Sequence, residues 1–236
     1  MNYNTANQSF DMAESYAVEP LNRYVAKTFG WMFAGLLTTF LIAVIGYRTG
    51  AILPIVYNRT AFFAVGIAEL VVVIFLSARI HKMSVAGARA LFFTYAVLNG
   101  IVFTVYFYAY DAMSLVMVFG ATSLFFGIMA LLGYFTNADF SRVRPFLMGG
   151  LVFLLVFWVL SMFFNLTALE TTVCYIGIFI FLAFTAYDTQ KIKAYHQYYS
   201  QNPAMAAKAS IFSALQLYLD FVNLFLYLIR LMGRRK

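Results

Sequence analysis

The chain is written in long apolar blocks separated by short polar breaks. Each block runs to about 20 residues, the length an α-helix needs to cross a bilayer. The blocks do not alternate with a period of two, so they do not describe barrel strands. Seven can be marked, roughly at residues 25–47, 60–80, 87–109, 112–135, 146–165, 168–192 and 208–231. The breaks have neither the length nor the composition of a soluble domain. The longest, around residues 193–207, carries the turn signal Asn202-Pro203. The expected fold is all-α: a polytopic membrane protein whose seven transmembrane helices occupy residues 23–236. Residues 1–22 are polar and include Asp11, Glu14 and Glu19. They predict a disordered cytoplasmic tail and show no signal-peptide pattern. No internal sequence repeat is evident.

Composition supports the membrane reading. Of 236 residues, 64% are hydrophobic and only 11% are charged, more apolar surface than a soluble domain of this size can hide. The net charge of +7 does not point to nucleic acid, because the bases cluster at the ends of the blocks, where they set topology. With the N-terminus in the cytoplasm, Arg23, Lys27, Arg79, Lys82, Arg89, Arg142, Arg144, Lys191, Lys193 and Lys208 fall on the inner side. The outer connections hold Arg48 and Arg59, together with Asp111 and Glu170. This bias predicts a multi-pass protein of the cell membrane with its N-terminus inside. Arg230, Arg234, Arg235 and Lys236 oppose the rule, since seven crossings put them outside. Either the early helices fix the topology and the tail follows, or the last block re-enters and returns inside; it is long enough to cross, so seven full spans are expected. A lone cysteine, Cys174, excludes an internal disulfide and a Cys-cluster metal site.

The polar residues inside the blocks carry the candidate chemistry. A carboxylate at mid-membrane depth costs about 2.5–3.5 kcal/mol even on the lenient insertion scale. Asp220 is such a residue, in the middle of the seventh block. Ser213, Gln216, Asp220, Asn223 and Tyr227 recur at helical spacing and form one polar seam. A seam of this kind faces protein or water, never lipid. It reads either as interhelical glue or as the lining of an ion or proton path. Glu69 lies at the same depth in the second block. Arg79 and Asp188 lie near the inner ends of the second and sixth blocks, where they could pair. Counted at about 1.5 Å per residue, Asp188 and Asp220 differ in depth by roughly 10 Å unless the helices tilt together. His81 and His196 read as interfacial. Tyr95, Asn99, Tyr106 and Tyr108 read as packing, and Cys174 as a small buried hydrophobe.

At FTAYDTQKIK (184–193) and SALQLYLDFVNLFLYLIRL (213–231) the chain resembles the Bax inhibitor-1 family, and within it the bacterial inner-membrane branch. FGWMFAGLLTTF (29–40), IAELVVVIFLSARIHKMS (67–84) and VCYIGIFIF (173–181) fit the same resemblance, which covers residues 23–233. The resemblance implies seven helices with the last one central and two three-helix layers around it. It also implies a pH-sensitive calcium leak. In that picture Asp188 and Asp220 form a proton-sensitive latch, Arg79 exchanges partners with Asp188, and Glu69 stands near the pore. The ion path would then use Glu69, Asp220, Asn223, Gln216 and Ser213, with Asp188 and Asp220 as calcium contacts. Calcium and protons would be the permeant and regulatory ions, and no cofactor is expected.

Rival readings are weaker on the residues. Tyr187-Asp188 fits the first half of an intramembrane aspartyl protease signature. The second half fails, because Leu217, Tyr218 and Leu219 precede Asp220; no enzyme is expected. A retinal protein needs a lysine within the last span, and none lies between Lys208 and Lys236. The alternative that the resemblance itself carries is a non-transporting regulator that binds a membrane-anchored protease or other membrane partners.

Overall fold

A computed structural model describes residues 19–136, 138–161 and 163–236. Seven long helices are present: α1 (Leu21–Thr49), α3 (Arg59–Arg79), α4 (Val85–Ala109), α5 (Ala112–Phe135), α6 (Arg144–Ser161), α7 (Thr167–Tyr198) and α8 (Pro203–Met232). A one-turn helix, α2 (Leu53–Tyr57), follows α1, and a 3-10 turn at Phe140–Val143 leads into α6. The seven long helices match the seven apolar blocks. The expected tail at 1–22 lies mostly outside the described residues, and its last two residues already belong to α1.

Local chemistry explains the breaks. Gly50 closes α1 in the left-handed conformation (φ 67°) and returns its N–H to the Gly46 carbonyl, which glycine does without steric cost. Asn58, Ser84, Asp111 and Asn202 each accept a backbone N–H in the first turn of the helix they precede. These are the side chains that best satisfy orphan helix donors. Pro54 and Pro203 stand at the starts of α2 and α8, where a missing N–H costs nothing.

The helices form two layers around α8. In one layer α4 packs between α1 and α3; in the other α7 packs between α5 and α6. The neighbour order, first–third–second, is thus the same in both triplets. Because α1 and α5 are an odd number of crossings apart, the triplets run in opposite senses. α8 touches α1, α4, α5 and α7. Burial separates centre from edge: 67% of the apolar stretch of α8 is buried, against 6% in α3 and 11% in α6. The surfaces of the outer helices, such as Leu70, Val116 and Phe179, are exposed and form a lipid-compatible belt. The protein is a seven-span α-helical membrane protein with a shielded central helix.

The two ends of the bundle are tied differently. At one end, the Tyr24 hydroxyl donates to the Ala206 carbonyl (3.1 Å), and Thr28 and Ser210 share a 2.8 Å hydrogen bond. The buried Lys208 ammonium there donates to the His81 carbonyl at 3.0 Å, and the His196 ring bonds the Glu19 carbonyl at 2.6 Å. At the other end, the last residues cross the α4–α5 turn. Asp111 N–H donates to the Arg234 carbonyl (3.2 Å) and Lys236 N–H to the Ala109 carbonyl (3.0 Å). Thus α8 crosses once, without returning.

Candidate functional site

α8 carries polar side chains on two faces, set by its 100° step per residue. Toward α7 it presents Asp220, which is buried, as is Asp188 on α7. One oxygen of each carboxylate is buried without a hydrogen-bond partner, Oδ1 of Asp188 and Oδ2 of Asp220. Of the charges acting on Asp220, that of Asp188 is foremost and that of Lys191 second. The two acids that the residue count separated in depth are therefore electrostatic neighbours. Thr189 Oγ1, Ser213 Oγ and Gln216 Oε1 are also buried and unpartnered. A buried polar atom left unsatisfied costs about 1–3 kcal/mol. Five residues of this kind lie on these two packed helices.

The cations near the acids were not the ones the sequence singled out. Arg79 is exposed at the end of α3, its guanidinium 5.9 Å from the centre of the Phe75 ring on its own helix. It makes no ion pair with Asp188 among the described residues. The cause is topological: α3 packs on α4, in the opposite layer from α7. The charges acting on Asp188 are instead Lys191 and Arg144. Lys191 follows Asp188 by three residues, so both lie on one face of α7. Its ammonium lies over the rings of Tyr187, Tyr195 and Phe212 at 5.7, 5.3 and 5.8 Å, a cation–π setting. The i, i+3 spacing was the signal available in the sequence. Arg144 had none, because its proximity depends on how α6 enters its layer.

The rest of the seam divides. Asn223 donates its amide to the Leu219 carbonyl of its own helix at 2.8 Å. Tyr227 packs against Gly177, where an added Cβ would come within 2.6 Å of the ring. Glu69 is on α3 and acts on a second polar cluster, around Tyr95 and Tyr218. Its Oε1 is buried without a partner. Tyr218 shares a 2.6 Å hydrogen bond with Thr39, and Asn99 donates to the Tyr95 hydroxyl at 3.1 Å. The Tyr95 and Tyr218 rings meet edge to face at 5.6 Å. Tyr95 and Asn99, read as packing residues, thus surround the one acid of α3. Glu69 and Asp220, expected at one depth, act on different neighbours: Glu69 on Tyr95 and Tyr218, Asp220 on Asp188.

Among the described residues, no group of three or more His, Cys, Asp or Glu could hold a metal together. Asp188 and Thr189 on α7, and Ser213, Gln216 and Asp220 on α8, are the oxygen-bearing side chains of these two helices whose buried atoms lack a partner.

A shielded helix with one buried acid, packed on a helix that carries a second, inside a seven-span bundle, defines a class: polytopic membrane proteins with a polar interior. Within that class the chain belongs to the Bax inhibitor-1 family, since residues 21–236 match the family model described as Inhibitor of apoptosis-promoting Bax1. It is similar to the inner membrane protein YbhL of Escherichia coli K12, 37% identical over 218 residues that cover 92% of this chain and 93% of YbhL. An uncharacterized protein of Rickettsia prowazekii is 32% identical over 230 residues, 98% of this chain and 94% of its own length. An uncharacterized membrane protein of Streptococcus pyogenes is 28% identical over 217 residues, 91% and 93% of the two chains.

Proposed function

We propose that the protein is a pH-sensitive calcium leak of the inner membrane, gated by Asp188 and Asp220 between α7 and α8. The observation that carries this reading is the pair of buried carboxylates on facing helices, each with one oxygen unpartnered. A single proton shared between them satisfies both oxygens at once, because the protonated acid donates to the ionised one. That bond ties α7 to α8. Ionising both acids places like charges together, which Lys191 offsets only in part. Protonating both removes the charge that draws a cation. The contact between α7 and α8 therefore changes with proton occupancy. The neutral oxygens of Ser213, Gln216 and Thr189 supply calcium with replacement ligands along the same face.

The test is calcium flux into liposomes that hold the purified full chain, scanned across pH. The wild-type protein is expected to show flux that varies with pH. Asp188→Asn and Asp220→Asn each leave one titrating acid, and either substitution is expected to flatten the profile. Glu69→Gln, on α3 and beside Tyr95 and Tyr218 instead, is expected to keep the pH dependence. Unchanged flux and pH dependence in both Asp variants would overturn the latch. No flux from correctly folded wild-type protein would overturn transport itself and favour a regulator that binds membrane partners.

A further inference from the structure

A cavity of about 420 Å³ opens at the end of the bundle where the chain terminates. Its walls come from α4, α6, α7 and α8, so it lies in the seam between the two layers. Ligand pockets of this kind are typically about 300–1,000 Å³. The rim holds three charges: Arg230 at the end of α8, Arg235 beyond it, and Glu170 in the first turn of α7. None of the three makes an ion pair among the described residues. Arg235 is held in place by its backbone, which pairs with Tyr110 in an antiparallel bridge. The Arg230 guanidinium lies 5.9 Å from the centre of the Tyr227 ring.

Below the rim the lining turns apolar. Leu154 lies one helical turn deeper than Trp158 on α6, and Val173 lies nearly a turn deeper than Glu170 on α7. Charges and a tryptophan at the ends of spans sit at headgroup level in a bilayer, and the residues below them sit at acyl depth. The polarity of the cavity thus changes along the membrane normal as that of a phospholipid does.

We propose that this cavity binds a phospholipid whose headgroup carries both a phosphodiester and a primary ammonium. Arg230 and Arg235 take the phosphate oxygens, the partners that guanidinium groups match best. Glu170, across the rim, takes the ammonium. One acyl chain follows Trp158 down to Leu154. A headgroup with phosphate alone leaves Glu170 facing an anion, so the site discriminates by the amine. A soluble phosphodiester with the same amine shares the headgroup chemistry but lacks the chain. The site stands whether or not the protein conducts calcium, because neither acid of the latch lines it.

Native mass spectrometry of the delipidated full chain tests this, with phosphatidylethanolamine, phosphatidylglycerol and soluble glycerophosphoethanolamine titrated separately. One phosphatidylethanolamine is expected to bind at least tenfold more tightly than phosphatidylglycerol. Arg230→Gln is expected to weaken that binding tenfold or more, with an unchanged melting temperature as the check that it folds. Glu170→Gln is expected to retain binding while erasing the preference for the amine, which a folding defect would not do. Equal affinity for both lipids in the wild-type chain would overturn the proposal, as would an Arg230→Gln variant that binds as the wild type does. Equal affinity for the soluble headgroup would support the chemistry and overturn the lipid as its source.

Discussion

Aspartate does opposite work at two places in this chain. Asp111 caps α5 at the surface, accepting from Met113 N–H (2.9 Å), Ser114 N–H (3.0 Å) and the Ser114 hydroxyl (2.7 Å). The Ser114 hydroxyl first, then the backbone donors and the Arg234 charge, hold its carboxyl below the ordinary range. A group whose folded-state value is depressed stabilises the fold above its unfolded value, near 3.9, and loses that contribution as pH falls through the lower folded value. Asp111→Ala is therefore expected to lower the melting temperature at neutral pH. The gap from wild type is expected to narrow in acid, below about pH 4. Thermal melts in detergent at several pH values would show this, and a gap that stayed constant into acid would count against it. Asp188 and Asp220 are buried with unpartnered oxygens instead. Asp220 was legible from sequence because an acid amid apolar residues has few explanations. The i, i+3 spacing of Lys191 from Asp188 is the sequence signal for the cation beside it. Depth and the family resemblance point to Arg79 instead, and neither says which layer a helix joins.

Helices were legible where hydropathy decides and illegible where close contact decides. The spans follow from block length, and their ends from Asn58, Ser84, Asp111 and Asn202 at cap positions. α7 runs six residues past the apolar block, to Tyr198, because AYHQY leaves the membrane but still packs: Tyr24 stacks near His196, with ring centres 5.2 Å apart. Glycine shows the limit of reading by type. Gly127 and Gly133 lie on the same helix, and both suit close helix approach. An added Cβ at Gly127 meets nothing within 4 Å, whereas at Gly133 it would fall 2.2 Å from the Ala186 carbonyl oxygen. The obstacle at Gly133 is backbone, which cannot rotate away. Gly133→Ala is thus expected to push α5 from α7 and destabilise the protein by roughly 1–3 kcal/mol, as overpacking does. Gly127→Ala is expected to leave the melting temperature unchanged or slightly raised, since alanine favours the helix. Equal melting temperatures for the two variants would show that α5 and α7 are not pinned at this crossing. Ala186 precedes Asp188 by two residues, so the same crossing also sets the position of Asp188.

At the scale of the whole molecule, the charge rule and the helix count disagree over the C-terminus, and the fold favours the count. α8 has 30 residues, about 45 Å at 1.5 Å per residue, against a hydrocarbon core of about 30 Å. It has no positive-φ residue and no cis peptide at which to turn back. Its start is tied to Tyr24, Thr28 and His81, and its end to the α4–α5 turn. The two ends of the described chain therefore lie on opposite faces. The tail bases are also partly engaged there: Lys236 donates its ammonium to the Phe107 carbonyl at 3.0 Å. We propose that the early spans with strongly biased loops fix the orientation and that the few terminal charges follow the chain across. The expected arrangement is an N-terminus inside and a C-terminus outside. Alkaline phosphatase, active only after export, fused behind Lys236 is expected to be active, and a fluorescent protein that matures only in the cytoplasm is expected to be dark there. The same fluorescent protein placed ahead of Met1 is expected to be bright. Bright fusions at both ends would mean that the last helix does not cross. The proposed latch would then need another geometry, because Asp220 is expected at mid-membrane depth only on a helix that spans.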